Sequence, residues 1–313
     1  MVKIIPFFIL LCIIFFSCIE KKRTQVSIYE ITIEELIESS VNTTDKDFID
    51  TNNKYTFNYY EQRDEYWDMN DISYFIKHQP TVRSLRLIGG TFTDITPLTQ
   101  LNYLEELEIT LNNYITDISP IASLVNLKKL TLGLDYLESI ESLSSLINLN
   151  YLCLYYNDSY YKELVPLQNI DILKLYGNKD GGIDVCYISE LLTLRELSIT
   201  PKGFIHNIEK LSNLNNLEEL TILGVVDIDL SWVIKLQKLR TIAINNGNID
   251  NIRPLLELPN LIKVDLSYSE VNDIMPLLES NSIKIITCKW QEGIQYSLFE
   301  EKGIQINFSY TDR

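Results

Sequence analysis

Tyr151, Cys153, Tyr155 and Tyr156 stand between and beside two leucines, and about one structural repeat later Ile172, Lys174 and Tyr176 do the same. Alternation of this kind puts the leucines on one face of a short strand and the intervening residues on the other. These seven residues therefore share one outward surface, with Tyr160 and Tyr161 in the loop between. The chemistry available to them is noncovalent recognition. A tyrosine ring offers a large contact area with a polar tip and few torsions to freeze, which suits it to holding a partner. In a chain with 19 Tyr some clustering arises by chance, and rings that only cover the edge of a core are the competing reading.

Residues that could do covalent chemistry are sparse. The two histidines, His78 and His206, lie far apart, and no Ser or Cys has a His and a carboxylate at recognisable spacing. Gly89-Gly90 and Gly181-Gly182 lack the Lys-Ser/Thr of a phosphate loop and read as turns. Asp227 and Asp229 do not make a calcium loop. Five cysteines without Cys-x-x-Cys spacing give no zinc site or disulfide framework, so they are expected unpaired, and no metal or cofactor is expected. Trp232 and Trp290 read as fillers of packing gaps.

The elements that position the tyrosines are repeats. The inward pair recurs as Leu85/Leu87, Leu107/Ile109, Leu130/Leu132, Leu152/Leu154, Leu173/Leu175, Leu197/Ile199, Leu220/Ile222, Ile242/Ile244, Val264/Leu266 and Ile286/Cys288, at steps of 22, 23, 22, 21, 24, 23, 22, 22 and 22 residues. That is the period of a solenoid. Behind several strands comes a second apolar group built around proline, as in Asp94-Ile95-Thr96-Pro97-Leu98, Asp117-Ile118-Ser119-Pro120-Ile121, Asn251-Ile252-Arg253-Pro254-Leu255 and Asp273-Ile274-Met275-Pro276-Leu277. Proline presets one backbone angle and supplies no donor, so these return limbs are predicted as tight 3₁₀-like turns. A coil of one strand and one turn cannot bury its leucines alone, and the coils must stack.

The array resembles the leucine-rich-repeat family, specifically the 22-residue bacterial class of the internalins, whose Ile-x-Asp-Ile-x-Pro-Leu limb is matched from Ile115 to Ile121. The ninth position of that pattern is usually Asn, and here it is Asn112, Asn157 and Asn178, with Asp135 and Ser269 as substitutes and Gly90, Lys202, Val225 and Gly247 as interruptions. The resemblance implies an α/β solenoid, a leucine-rich-repeat horseshoe with a parallel sheet on the concave face and short 3₁₀ or irregular limbs on the convex face. It also implies a binding scaffold whose targets vary.

Other outward positions carry Glu105, Glu106 and Glu108 next to Lys128 and Lys129, predicted to pair laterally as a solvated surface ladder. A formal net charge of -16, from 43 acidic and 27 basic residues, argues against nucleic acid or an anionic membrane surface as the main partner.

Residues 1–17 read as an export signal: Lys3 precedes the apolar run from Ile4 to Phe16, which is short for a membrane span. Phe15-Phe16-Ser17-Cys18 resembles a bacterial lipoprotein box, which implies that Cys18 is lipidated and anchors the chain to the cell envelope. An uncleaved anchor and ordinary signal cleavage are the alternatives. The expected order is then a tether over 18–27, an N-terminal flanking region and cap over 28–81, the repeat array over 82–288 and a C-terminal cap over 289–313. In that cap a short helix ending at Gly303 and a strand from Ile304 to Phe308 close the array. The function expected is non-catalytic recognition of a protein, or a glycan, by a monomer touching the membrane only through its lipid. The alternatives are an enzyme or effector activity in the region before the repeats, and a structural spacer.

Overall fold

The computed structural model describes residues 54–58, 72, 73, 76, 80–156, 161–177, 182–224 and 227–309. Cys18, the export signal, His78, Asn157, Tyr160, Asn178 and Val225 lie outside them. So does most of the flanking region.

In chain order the strands are Lys54–Asn58 (β1), Ser84–Ile88 (β2), Glu106–Thr110 (β3), Lys129–Gly133 (β4), Tyr151–Tyr156 (β5), Ile172–Gly177 (β6), Ile183–Asp184 (β7) and Glu196–Thr200 (β8). They continue as Ile205–His206 (β9), Glu219–Leu223 (β10), Thr241–Asn245 (β11), Asn248–Ile249 (β12), Lys263–Leu266 (β13), Glu270–Val271 (β14), Ile285–Cys288 (β15) and Gln305–Phe308 (β16). Twelve of them form one parallel sheet, in the order β1-β2-β3-β4-β5-β6-β8-β10-β11-β13-β15-β16. The short pairs β7-β9 and β12-β14 lie apart from it, on the return side of their coils.

All ten inward pairs are buried, each residue 2 % exposed or less. Register explains it: Leu130 sits opposite Leu107 and Leu152, and Leu132 opposite Ile109 and Leu154, so the aliphatic pairs stack into two continuous rows. A fully buried leucine contributes about 2 kcal/mol, which one coil realises only when its neighbours close over it.

The proline limbs are 3₁₀ turns, as at Thr96–Gln100, Ser119–Ser123, Arg253–Glu257 and Met275–Glu279. An Asp or Asn two residues before each accepts the first free amide, with Asp94 taking the Thr96 N–H at 2.7 Å and Asp273 the Met275 N–H at 2.8 Å. The bonds from Thr96 hold the Asp94 carboxyl below the usual range. One coil departs from this scheme: Tyr161–Leu164 is a turn of α-helix, and its Glu163 reaches back to accept from the Ile140 N–H and the Ser139 hydroxyl at 2.6 and 2.8 Å.

Asparagine acts in two places. Asn112 is buried, donating to the Phe92 carbonyl at 3.0 Å and accepting from the amides of Tyr114 and Ile115. Ser269 does similar work, donating to the Ile244 carbonyl and accepting from the Gly247 N–H. Asp135, read as another substitute, is exposed. The more regular ladder stands at the turn back into the strand, in the pattern Leu-x-Asn-Leu, with Ile170 in place of the last Leu in one coil. There Asn126, Asn148, Asn169, Asn216 and Asn260 each donate a side-chain N–H to a backbone carbonyl of the preceding coil at 2.7 to 2.8 Å. Thr193 and Ser282 use hydroxyls for the same purpose. Each satisfies a carbonyl that the turn would otherwise strand, and ties one coil to the next.

The sheet continues past the repeats at both ends. β1 pairs with β2 so that Tyr55 and Phe57 fall opposite Leu85 and Leu87, a strand that the ten-fold pattern does not contain. At the other end the helix Ser297–Glu301 stops before Gly303, at φ 79°, and β16 then pairs with β15. Among the described residues no helix is long and apolar enough to cross a membrane.

Candidate functional site

The outer face of β5 and β6 is set by register. Tyr151 lies opposite Ile172, Cys153 opposite Lys174, Tyr155 opposite Tyr176 and Tyr156 opposite Gly177. The Tyr155 and Tyr176 rings stack with centroids 4.7 Å apart and planes 16° from parallel. That separation matches the strand spacing of about 4.8 Å, so the sheet holds both rings at contact distance without bending either strand. On the side of β4 the residue opposite Tyr155 is Gly133, which carries no side chain.

At the other end of the same strands Lys174 ties the surface together. Its ammonium sits 5.7 Å from the Tyr151 ring centroid and pairs with Glu196 of β8 at 2.8 Å. A cation held over a ring face by a carboxylate restricts both side chains. Burial pushes the Tyr151 phenol well up, with Cys153, Tyr176 and Glu196 adding to the shift, so it stays a neutral donor at physiological pH.

Cys153 corrects the sequence reading. It occupies the outward register, yet it is only 5 % exposed. Thr131, Tyr151 and Lys174 surround the thiol closely enough to act on its ionisation. Burial pushes that thiol up to about 12. It is the floor of the surface, not a contact. Tyr151, Tyr155, Ile172, Lys174 and Tyr176 are all partly exposed beside it. Glu196, which fixes Lys174, was not picked out from the sequence; a carboxylate at the strand start one repeat beyond an outward Lys was the available signal.

On β2 to β4 the outer face is a set of lateral ion pairs. Lys128 and Lys129 meet Glu105 and Glu106 at 2.7 and 3.0 Å, as the sequence spacing predicts. Arg83 pairs with Glu105 as well, and Arg86 with Glu108 at 2.7 Å, two cations that the sequence reading did not include. Further along, Arg195 and Glu218 repeat the arrangement at 2.7 Å.

The remaining candidates resolve into structure. Gly89 and Gly90 have positive φ, and a Cβ on Gly90 would lie 2.7 Å from the Phe92 ring. Gly182 is likewise left-handed at a turn. Asp229 accepts from the Ser231 amide, and Asp227 from the Asn248 side chain. Trp232 is buried as expected, whereas Trp290 is 53 % exposed and fills no gap, because the chain has left the repeat by then. Cys153, Cys186 and Cys288 are unpaired, and no metal-ligating cluster occurs among the described residues.

No family model and no curated protein matches this sequence. Solved structures do. An internalin (inlF) from Listeria monocytogenes superposes with a TM-score of 0.57 at 22 % identity, covering 71 % of each chain. The fold is that of a leucine-rich-repeat solenoid of the internalin type. This solenoid also superposes on the plant peptide hormone receptor RGFR1, solved in complex with RGF2, with a TM-score of 0.52 at 15 % identity, over 74 % of this chain and 40 % of that one.

Proposed function

We propose that the solenoid is a non-catalytic recognition protein of the cell envelope, and that it holds a protein partner, or a glycan, against the surface built from Tyr151, Tyr155, Ile172, Lys174 and Tyr176. The observation that carries this reading is the Tyr155–Tyr176 stack at 4.7 Å beside a lysine locked between Glu196 and Tyr151. A preorganised aromatic surface loses little side-chain entropy when a partner lands on it. The peptide-bound receptor among the structural neighbours supports a protein or peptide ligand. In this reading Cys18 carries the lipid that keeps the protein at the envelope, and the chain acts as a monomer without cofactor.

The deciding experiment is a pull-down from envelope extract with the full chain and with Tyr151, Tyr155 and Tyr176 all changed to Ala. A partner retained by the native chain and lost from the variant supports the surface. Equal capture by both, measured against the identified partner, removes this surface from consideration. Metabolic labelling with a fatty acid, lost in Cys18→Ala, tests the anchor independently.

A further inference from the structure

On the outer face of β2 to β8 the cations sit against carboxylates of the adjacent strand: Arg83 and Lys128 on Glu105, Arg86 on Glu108, Lys129 on Glu106, Lys174 on Glu196 and Arg195 on Glu218. From β11 onward the alternation stops. Arg240, Lys263 and Lys284 occupy three consecutive coils at the strand starts, and none pairs with a carboxylate among the described residues. The backbone confirms that they adjoin: the Lys263 N–H donates to the Arg240 carbonyl at 3.0 Å, and Lys284 to the Ile262 carbonyl at 2.8 Å. Between them Ile262 is 36 % exposed and Ile285 partly so. Beside Arg240 a concavity of about 300 Å³ is lined by Glu218, Lys238, Arg240, Asn260 and Ile262. Lys238 points its ammonium at the Asn216 side-chain oxygen, a neutral acceptor.

The anions facing this patch are already engaged or lie to one side. Glu218 takes two donors from Arg195, and Asp265 accepts the amide and hydroxyl of Ser267. Glu219 is exposed on β10 between Glu196 and Thr241, so it borders the patch two strands from Lys263. In a chain of net charge -16, three adjacent cations that make no salt bridge among the described residues, set around apolar side chains, concentrate positive charge locally.

We propose that Arg240, Lys263 and Lys284 bind a short acidic segment of a peptide or protein partner, its carboxylates on the three cations and its aliphatic stems against Ile262 and Ile285. The inference deepens the reading given above by naming the chemistry of the partner, and rests on it for the location of the second contact. An arginine fork takes a carboxylate with two hydrogen bonds, and the intervening isoleucines favour a peptide over a sugar chain. The overall negative charge repels a broadly acidic surface, so the partner presents a short run of acids in an otherwise neutral or basic context. From the Tyr176 ring to Arg240 the sheet spans three strand spacings across and five residues along, about 22 Å, or roughly six to seven residues of extended chain. The motif is therefore an aromatic or apolar anchor followed, about six residues on, by acids.

The test is fluorescence anisotropy of the full chain with a fluorescein-labelled peptide carrying Trp, a Gly-Ser spacer of about six residues and Glu-Glu-Glu, beside the same peptide with Gln-Gln-Gln. The expected result is binding of the acidic peptide about tenfold tighter or more, lost in Arg240→Gln/Lys263→Gln/Lys284→Gln and weakened as NaCl rises from about 20 to about 200 mM. Equal binding of both peptides, or an unchanged affinity in the triple variant, overturns it. So does preferential binding of a heparin oligosaccharide through the same three residues, which would assign the patch to an anionic glycan. Tyr155→Ala/Tyr176→Ala reads the other contact: loss of the Trp contribution with the Glu preference intact separates failure of one surface from failure of the other.

Discussion

β4 and β5 are adjacent strands with the same inner face and different outer faces. Both send two leucines inward, Leu130 and Leu132 beside Leu152 and Leu154, and all four are buried to 2 % exposure or less. Outward, Lys129 of β4 ends on Glu106 of β3, whereas Tyr155 of β5 stacks on Tyr176 of β6. The charged region is satisfied within the protein, since its donors meet acceptors one strand away and water covers the rest. The tyrosine region is arranged without being used up, because a stack of two rings still presents apolar edges and area. Inner residues hold the coil and outer ones decide what the coil meets, so one scaffold carries an inert surface and a receptive one side by side.

The largest expected effect tests the shared half of that comparison. Leu130→Ala and Leu152→Ala should each cost about 3 kcal/mol, by lost burial and the cavity left behind, and should cost alike in urea unfolding. A large inequality would mean that the outer residues contribute to the stability of β5 in a way that the inner rows do not.

Next comes the receptive half. Tyr155→Ala with Tyr176→Ala should weaken an identified partner by about thirtyfold, near 2 kcal/mol, while the unfolding midpoint moves little. A titration of partner against both proteins, with circular dichroism as the control, reads this directly.

A smaller effect is expected at alkaline pH. The Cys153 thiol is pushed from 9.0 up to about 12 by burial, so the native state keeps a proton that the unfolded chain releases. Its contribution is intact below pH 9 and declines as pH climbs from 9 toward 12. Thermal melts in that window should fall less steeply for Cys153→Ala than for the native chain. At neutral pH the same thiol should resist alkylation that reaches the more exposed Cys186, as read by mass spectrometry of the native protein.

The smallest effect belongs to the inert half. Glu105→Gln removes the negative charge shared by Arg83 and Lys128, yet both cations are exposed and rehydrate. Its urea midpoint should match the native chain at high salt and differ by no more than a slight drop at low salt. A clear loss at high salt would show that the ladder holds the coils together.

Much of the architecture was legible because a repeat states its own period. Ten inward pairs at steps of 21 to 24 residues leave a parallel solenoid as the only way to bury them together, and Pro97, Pro120, Pro254 and Pro276 mark the 3₁₀ limbs. The lateral pairing of Lys128 and Lys129 with Glu105 and Glu106 was legible for the same reason, since register follows from period. Missing from that reading was the asparagine ladder at Leu-x-Asn-Leu, hidden because attention to the ninth position looks at the exit from the strand and not at its entry. β1 was missed as well: Tyr55 and Phe57 alternate for too few residues to declare a coil without the partner strand beside them.

By itself, then, the sequence determined which residues face in and which face out, because alternation along a strand is a property of the chain alone. It did not determine what an outward residue meets. That Cys153 is covered, that Lys174 is held by Glu196, and that Arg240, Lys263 and Lys284 meet no carboxylate among the described residues are facts about neighbours 20 or more residues away, brought within a strand spacing only when the coils stack.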